Sequence, residues 1–245
     1  MDRSAYASLS AQEETHWWFV ARRAIVDSLI RACISLPPDA RILEAGCGTG
    51  GNLAMLARHG SIDGLEYDAQ ARAIAHQRGV GRIEPGMLPG QIGFGDRQYD
   101  LIALLDVLEH VEDDRESITA LGARLADDGR ILLTVPALPW LWSDHDELHH
   151  HKRRYTLNGL RGVAQQAGLH VETIGYFNSM LFPVACVARI ARRLSPRTGD
   201  LDTQPGRPFN ALLRMIFGWE RHMLGRVRFP IGLSLFAVLS RSGPS

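Results

Sequence analysis

Short unbroken apolar runs alternate along the first half of the chain with longer stretches in which apolar residues recur at helical spacing. Ile42-Leu43 opens the series, Ser61–Leu65 follows, and Tyr99–Leu105 and Arg130–Val135 are the longest runs. A strand of a parallel sheet reads this way because helices cover both of its faces. Between the runs lie candidate helices at 52–58, 69–78 and 113–126, the second opened by Asp68 as an N-cap. Ser10-Ala-Gln-Glu13 has capping-box spacing and predicts a helix from there to about Cys33, with Trp17, Trp18 and Phe19 as a bulky face. Those aromatics either pack on the sheet edge or wall an acceptor pocket. Leu36-Pro37-Pro38-Asp39 ends that helix. The stretch 79–95 is loop-rich with a weak strand near Arg82–Glu84, and Leu233–Leu239 reads as a last, hairpin strand. Strand–helix alternation predicts an α/β fold, a doubly wound and mostly parallel sheet with an added N-terminal helix. Met180–Leu194 and Phe209–Met223 are apolar stretches edged with arginine, predicted as C-terminal cover helices around the loop Ser195–Pro208.

The first apolar run ends in Glu44 and then Gly46-Cys47-Gly48-Thr49-Gly50-Gly51. Strand, tight glycine turn and helix form a nucleotide-type site at the carboxyl edge of a parallel sheet. Glycines allow positive φ and let a ligand approach without meeting a Cβ. Amides at the following helix start favour electron-rich groups. Gly46, Gly48 and Gly51 satisfy the dinucleotide pattern GxGxxG, which alone is weak. Glu44 separates the ligands: a pyrophosphate would be repelled by a carboxylate so close to the turn, whereas an ammonium and a sulfonium would be attracted. S-adenosylmethionine carries both and has no phosphate. Glu66 ends the second strand 20 residues after Gly46, where an acid that grips ribose hydroxyls is expected.

Composition narrows the partners. At 45% hydrophobic and 22% charged, the 245 residues suit one α/β domain with additions: a helical cap over 1–38, a cofactor-binding core over 39–136, and an acceptor lid, cover helices and last strands over 137–245. Net charge is zero, which gives no bulk attraction to nucleic acid. That zero conceals an asymmetry, since ten of the 27 basic residues but only three of the 27 acids lie from Leu181 onward. Cys33, Cys47 and Cys186 form neither a disulfide framework nor a zinc knuckle. MDRSAYASLS lacks the apolar core of a signal peptide, and no apolar stretch reaches the roughly 18 residues of a spanning helix. A cytoplasmic address is expected. Basic amphipathic helices at the C-terminus would add peripheral membrane contact, cover a pocket or form a homodimer face.

Two groups of residues follow the later strands. The fourth strand delivers Asp106-Val-Leu-Glu109-His110 to the carboxyl edge, and the fifth is followed by Asp144-His145-Asp146-Glu147-Leu148-His149-His150-His151. His110, His145 and His150 are candidate general bases, because histidine near neutral pH can take a proton from a phenol or carboxylic acid. His110 reads equally as a helix-entry histidine bonded to backbone. The second group is also legible as solvated histidines on a lid, or as a divalent metal site, although adjacent histidines cannot all face one ion. No metal is expected. Arg153, Arg154 and Tyr155 would grip an acidic acceptor or cap the next helix.

Taken together, ILEAGCGTGG, GLEYD, YDLIALLDVLEHV and DDGRILLTVP, in that order across Arg41–Pro136, resemble the class I S-adenosylmethionine-dependent methyltransferases. HWWF, LWSDHDELHHHKRRYTLNGL and YFNSMLFP are similar to small-molecule enzymes related to the ubiquinone-pathway O-methyltransferases. The resemblance implies a seven-stranded Rossmann-like sheet and methyl transfer to a small or lipid-like acceptor, at oxygen. It implies that Glu44 and the turn Gly46, Cys47, Gly48, Thr49 and Gly50 hold the methionine part, that Glu66 binds ribose and that Tyr67 packs on adenine. It places Asp106, with Val107, beside the methionine and sulfonium. The family's adenine-reading acid is missing, since Gly86 is followed by Met87, which leaves the backbone near Met87 and Leu88 for that contact. An NAD(P)-dependent oxidoreductase and a catalytically silent methyltransferase-like subunit are the competing readings. Glu44 and DVLEH oppose the first, and the intact turn with Glu66 opposes the second.

Overall fold

Ile42 and Leu43 are both fully buried, yet their side chains join different hydrophobic clusters on opposite faces of one sheet. The same alternation runs through Leu101, Ala103 and Leu105 on one side and Ile102 and Leu104 on the other. This two-sided burial is why the predicted strands read as continuous apolar runs. The computed structural model describes residues 10–187 and 206–241, except for the side chain of His145.

The strands are β1 (Arg41–Ala45), β2 (Ser61–Glu66), β3 (Arg82–Pro85), β4 (Tyr99–Leu105), β5 (Leu125–Pro136), β6 (His170–Phe177) and β7 (Ser234–Ser240). They stand in the order β3-β2-β1-β4-β5-β7-β6. All pairings are parallel except those of β7 with β5 and with β6. The seven-stranded, mostly parallel sheet is the expected one. Helices α1 (Trp17–Cys33), α2 (Leu53–Leu56), α3 (Ala69–Gln77), α4 (Asp114–Gly122), α5 (Asp144–Leu148), α6 (Leu157–Gln166) and α7 (Arg207–Trp219) accompany it. Asp68 caps α3 as read, accepting from Gln70 N and Ala71 N.

Several boundaries move for physical reasons. The single helix expected from Ser10 to Cys33 is interrupted at His16, whose Nδ1 accepts from Trp18 N at 3.3 Å and caps α1. Ser10 and Glu13 do not close a capping box. Both meet Arg78 instead, which donates to Ser10 Oγ at 3.1 Å and to Glu13 Oε2 at 2.5 Å. The helix expected over 113–126 ends at Gly122, and Leu125 already pairs with Tyr99 before the register shifts in the β4–β5 ladder. Helix α6 is the helix expected after Tyr155 and strand β6 one of the last strands expected over 137–245, neither of which the sequence reading gave bounds. Of the apolar stretch Met180–Leu194, residues 182–187 are helical, whereas Arg189, Arg192, Arg193 and most of the loop Ser195–Pro208 lie outside the described residues.

Candidate active site

Strand order reverses between β1 and β4, and the crevice at their carboxyl ends is where an open α/β sheet binds ligands. Glu44 and the glycine turn arrive there from β1, Glu66 from β2, and Asp106 from β4. Gly46 takes φ +78°, and a Cβ added to it would lie 2.6 Å from Val107 Cγ2, so only glycine lets the turn pass Val107. Gly46 N and Cys47 N both donate to Leu65 O, at 2.8 and 2.9 Å, which ties the turn to β2. Gly48, at φ +55°, faces open space on the side where a Cβ would stand. A ligand can therefore lie directly on its backbone.

Glu44 is buried, and its Oε1 accepts from Asn52 Nδ2 at 2.7 Å. Its Oε2 has no hydrogen-bond partner among the described residues. Burial pushes this carboxyl up to about 8, only partly offset by Asn52 and the positive charge of Arg22. A buried carboxylate oxygen without a donor is the place for a cation, and the ammonium of S-adenosylmethionine is of that kind. Glu66 accepts from Gly48 N through Oε2 and from Asp68 N through Oε1, each at 2.8 Å. Burial raises its pKa against those amide bonds. The second lone pairs of both oxygens suit paired ribose hydroxyls. Tyr67 beside it is 71% exposed, a free aromatic face at the crevice. Thr49 is fully buried, and its carbonyl accepts from Arg78 Nε at 2.6 Å. Arg78 thus clips the 10–15 segment over the turn, with the Glu13 carboxylate against Gly51. Met87 is exposed, but its N–H and C=O both pair with Gln91, at 2.8 and 2.7 Å. The Met87 backbone is therefore committed, and its side chain is what it presents.

Asp106 adopts a left-handed backbone, φ 54°, just past β4. That conformation, rare outside glycine, turns its carboxylate toward α1 and β5. Its Oδ1 accepts from Thr134 Oγ1 at 3.1 Å, and its Oδ2 lies 2.5 Å from Arg22 Nε. The Arg22 contact is an ion pair by distance, without the alignment of a hydrogen bond. Arg22 is itself buried, lies over the Trp18 ring at 5.1 Å and reaches Thr134 Oγ1 at 3.4 Å. Asp106 is thus balanced by an arginine absent from the candidate residues. The signal for it was present, since Arg22 falls on the apolar face of α1 with Ile25, Val26 and Leu29, where a guanidinium requires a carboxylate.

A second group adjoins the first. His110 and His151 stand edge to face with ring centroids 4.8 Å apart. Desolvation, followed by the neighbouring His151, pushes His110 down from the usual histidine range, although its side chain is exposed to solvent, which weakens the desolvation. His151 Nδ1 lies 2.9 Å from Asp146 Oδ1, an oxygen that also accepts from Arg154 Nε at 2.7 Å. Burial would raise the Asp146 carboxyl, but His151 and Arg154 outweigh it and hold it well below the usual range. Glu109 is buried with Oε2 unpartnered among the described residues, and burial followed by the charge of Asp106 raises its carboxyl well above normal. Glu109, His110 and His151 offer ligand atoms within 4.8 Å of one another, donors suited to a divalent ion or to a proton relay. His150, by contrast, is exposed at φ 54°. His145 belongs to α5, and its side chain lies outside the described residues. His149 and His151, the two histidines of this run that sequence reasoning passed over, are the ones brought to His110, His151 with its ring and His149 with its backbone. Arg153 pairs with Asp114 at 2.9 Å, and Tyr155 donates to the same carboxylate, so these two fix the loop onto α4.

The order of strands, the glycine turn and the strand-end carboxylates define a nucleotide-type crevice of the class I methyltransferase kind. A family model described as a methyltransferase domain matches residues 17–174, and the chain belongs to that family. Its cofactor is S-adenosylmethionine. Among solved structures, the fold is similar to a chain in the complex between the Haloferax volcanii Trm112 methyltransferase activator and a methyltransferase, with TM-score 0.63, 16% identity, and 99% of this chain and 96% of that one covered. It is also similar to a TehB-like S-adenosylmethionine-dependent methyltransferase from Corynebacterium glutamicum, with TM-score 0.54, 19% identity and 91% and 88% covered. Phosphoethanolamine N-methyltransferase 2 of Haemonchus contortus, solved with S-adenosylmethionine, gives TM-score 0.59 at 13% identity over 89% of this chain and 52% of that one. At such identities the likeness concerns the fold. No curated protein matches the sequence.

Proposed function

We propose that this methyltransferase acts on a small or lipid-like acceptor at an oxygen atom, with His151 and His110 handling the acceptor's proton. The observation that carries the reading is the Asp146–His151–His110 arrangement at the mouth of the crevice. When bound, S-adenosylmethionine supplies an electrophilic methyl group on a sulfonium. Glu44 holds the ammonium through its unpartnered Oε2, and Arg22, already beside Asp106, offers its remaining donors to the methionine carboxylate. Gly46, Cys47, Gly48, Thr49 and Gly50 provide the floor, and Val107 limits it from the β4 side. Glu66 takes the ribose hydroxyls, while Tyr67 and the side chains of Met87 and Leu88 flank the adenine. Asp106 keeps a negative charge near the sulfonium, moderated by Arg22.

An ionised Asp146 accepting from His151 Nδ1 sets the tautomer in which Nε2 takes a proton. Neutral His110 at 4.8 Å adds no competing positive charge. Neighbouring His149 and His150 lie on the same loop, where His150 at the surface would meet an entering acceptor. The ubiquinone-pathway relationship is part of this reading, and it directs the choice of acceptors to phenols.

The test is a methyl-transfer assay over pooled phenols, carboxylic acids and lipid quinol analogues, with S-adenosylhomocysteine as readout. Turnover of a hydroxyl-bearing acceptor is expected. His151→Gln should lower kcat about a hundredfold while leaving cofactor affinity unchanged. Asp106→Asn should weaken cofactor binding. Activity that depends wholly on an added divalent ion and vanishes with a chelator would assign Glu109, His110 and His151 to a metal instead. Cofactor binding without turnover of any acceptor would favour a silent binding subunit, and NADH binding in the same crevice would overturn the reading altogether.

A further inference from the structure

Helix α7 buries one face and leaves the opposite face without a protein partner among the described residues. Asn210 holds the inner side to the start of α1, accepting from Trp17 N at 2.9 Å and donating to Thr15 O at 3.0 Å. Leu213, Ile216 and Phe217 turn inward with it toward the core. Outward stand Phe209, Leu212, Met215 and Trp219, exposed by 53, 44, 64 and 52%. Their spacing of three, three and four residues keeps them on one stripe of the helix. Four large apolar side chains on one outer face are not the scatter expected of an ordinary surface.

A second exposed apolar segment is tied to the end of α7. Met180 N donates to the buried carboxylate of Glu220 at 2.7 Å, which fixes the start of the 180–187 segment to the end of α7. Val184 and Val187 on that segment are exposed as well. Arg207, Arg214, Arg221, Arg226 and Arg228, on α7 and in the segment that follows it, are all exposed. Between residues 206 and 233 the one acid is Glu220, and it is buried. The exposed charges along 206–233 are therefore all cationic, beside an apolar face of α7.

The patch also has a definite place. Because β6 and β5 both run antiparallel to β7, β6 ends at the same sheet edge as β5. Residues 178–187 consequently leave the sheet on the side of Glu44 and Asp106. Trp140, exposed in the loop after β5, meets Phe182 edge to face at 6.2 Å and links this segment to the crevice mouth.

We propose that the outer face of α7, with the 180–187 segment, docks on an anionic membrane surface, so that the methyl acceptor reaches the crevice from the bilayer. The charge argument selects this occupant: five exposed arginines without an exposed acid complement anionic headgroups, while Trp219 and Phe209 enter the interfacial region. No described helix is long and apolar enough to cross a membrane, so the contact is peripheral. Delivery of the acceptor rests on the function proposed above. The docking itself does not, and it is measured without cofactor or acceptor.

The experiment is co-sedimentation of the full chain with phosphatidylcholine vesicles and with vesicles containing about one-third phosphatidylserine, at low and high salt. Binding should be confined to the anionic vesicles and fall at least tenfold at high salt, as expected for arginine–headgroup attraction. Met215→Glu with Trp219→Glu should reduce it at least tenfold, with circular dichroism and methyl transfer to a soluble acceptor unchanged. Should that variant misfold, Arg214→Glu with Arg221→Glu reverses two of the five arginine charges while keeping the apolar face, and is expected to give the same loss. Absence of vesicle binding by the natural chain overturns the proposal. So does binding that neither variant alters. A dimer in sedimentation equilibrium that the Met215 and Trp219 substitutions dissolve, without vesicle binding, assigns the face to a second copy instead. Failure of the acceptor assay, with vesicle binding intact, would leave the docking surface standing and remove only the chemistry.

Discussion

Glu44 has one neutral amide on Oε1 and, among the described residues, no donor on Oε2, and on the proposed reading that imbalance makes it answer to the cofactor's charge. With its carboxyl pushed up to about 8 by burial, most molecules without cofactor carry a proton there at pH 7. Docking an ammonium against Oε2 favours the ionised form and expels that proton. Cofactor affinity should therefore rise between pH 6 and 8 and level off above, and calorimetry in buffers of different ionisation heat should register proton release. Glu44→Gln keeps the shape but not the charge. It should flatten the pH dependence and weaken binding by about 10- to 100-fold, the worth of a charge-assisted hydrogen bond of about 1.5–3 kcal/mol. At this scale the sequence was informative about residues tied to strand ends, because Glu44, Glu66 and Asp106 each follow an apolar run whose direction is fixed. It was less so for partners brought from elsewhere. Arg22 comes from a helix 84 positions before Asp106, and His151 was one of three adjacent histidines until the turn at His150 chose between them.

Strand β6 shows why an element's bounds can escape notice. HVETIGYF lacks the apolar run of the central strands, because much of β6, at the sheet edge beside β7 alone, is only half-buried. A register shift between Val171 and Thr173 breaks its period-two pattern as well. Gly175 lowers the strand signal further, yet its place is set by packing: a Cβ there would stand 3.1 Å from the Phe236 ring on β7. Gly175→Val should therefore cost about 1–3 kcal/mol by overpacking, although valine is the better strand former. A lower thermal midpoint in calorimetry, by about 2–4 °C for each kcal/mol, is the expected result. Equal or greater stability would mean that Phe236 yields freely. The interruption of the N-terminal helix at His16 has a similar origin. Local spacing proposed a capping box, but Arg78, from the end of α3, took both Ser10 and Glu13 and bound the segment to the glycine turn.

Across the whole molecule, five buried or partly buried carboxyls have raised pKa values: Glu13, Glu44, Glu66, Glu109 and Glu220, each chiefly through burial. Against them stand two buried or partly buried aspartates, Asp146, depressed despite its burial through His151 and Arg154, and Asp27, through His59 and Arg31, the lowered Glu112 and Glu116 being exposed. The raised group is larger, and it lies almost entirely around the crevice. A raised carboxyl keeps its proton in the folded state after the unfolded chain has lost it. Its stabilising contribution is complete below the unfolded value near 4.5 and is lost as pH rises through the folded value, about 8 for Glu44. The depressed pair acts oppositely, and only at acid pH, below the unfolded aspartate value near 3.8. The cofactor-free protein should consequently lose thermal stability steadily from about pH 5 to pH 8, where a protein dominated by ion-paired carboxylates would hold its midpoint. S-adenosylmethionine at a hundredfold excess over Kd should stabilise the fold by about 2.7 kcal/mol and so raise the midpoint throughout. It should raise it more at pH 8 than at pH 6, because Glu44 then meets its cation in the ionised form. Differential scanning calorimetry across that range, with and without cofactor, reads both slopes. If the cofactor-free midpoint is flat, or if the gain from cofactor shrinks toward pH 8, burial does not hold protons on the crevice carboxyls, and the role given to Glu44 fails with that.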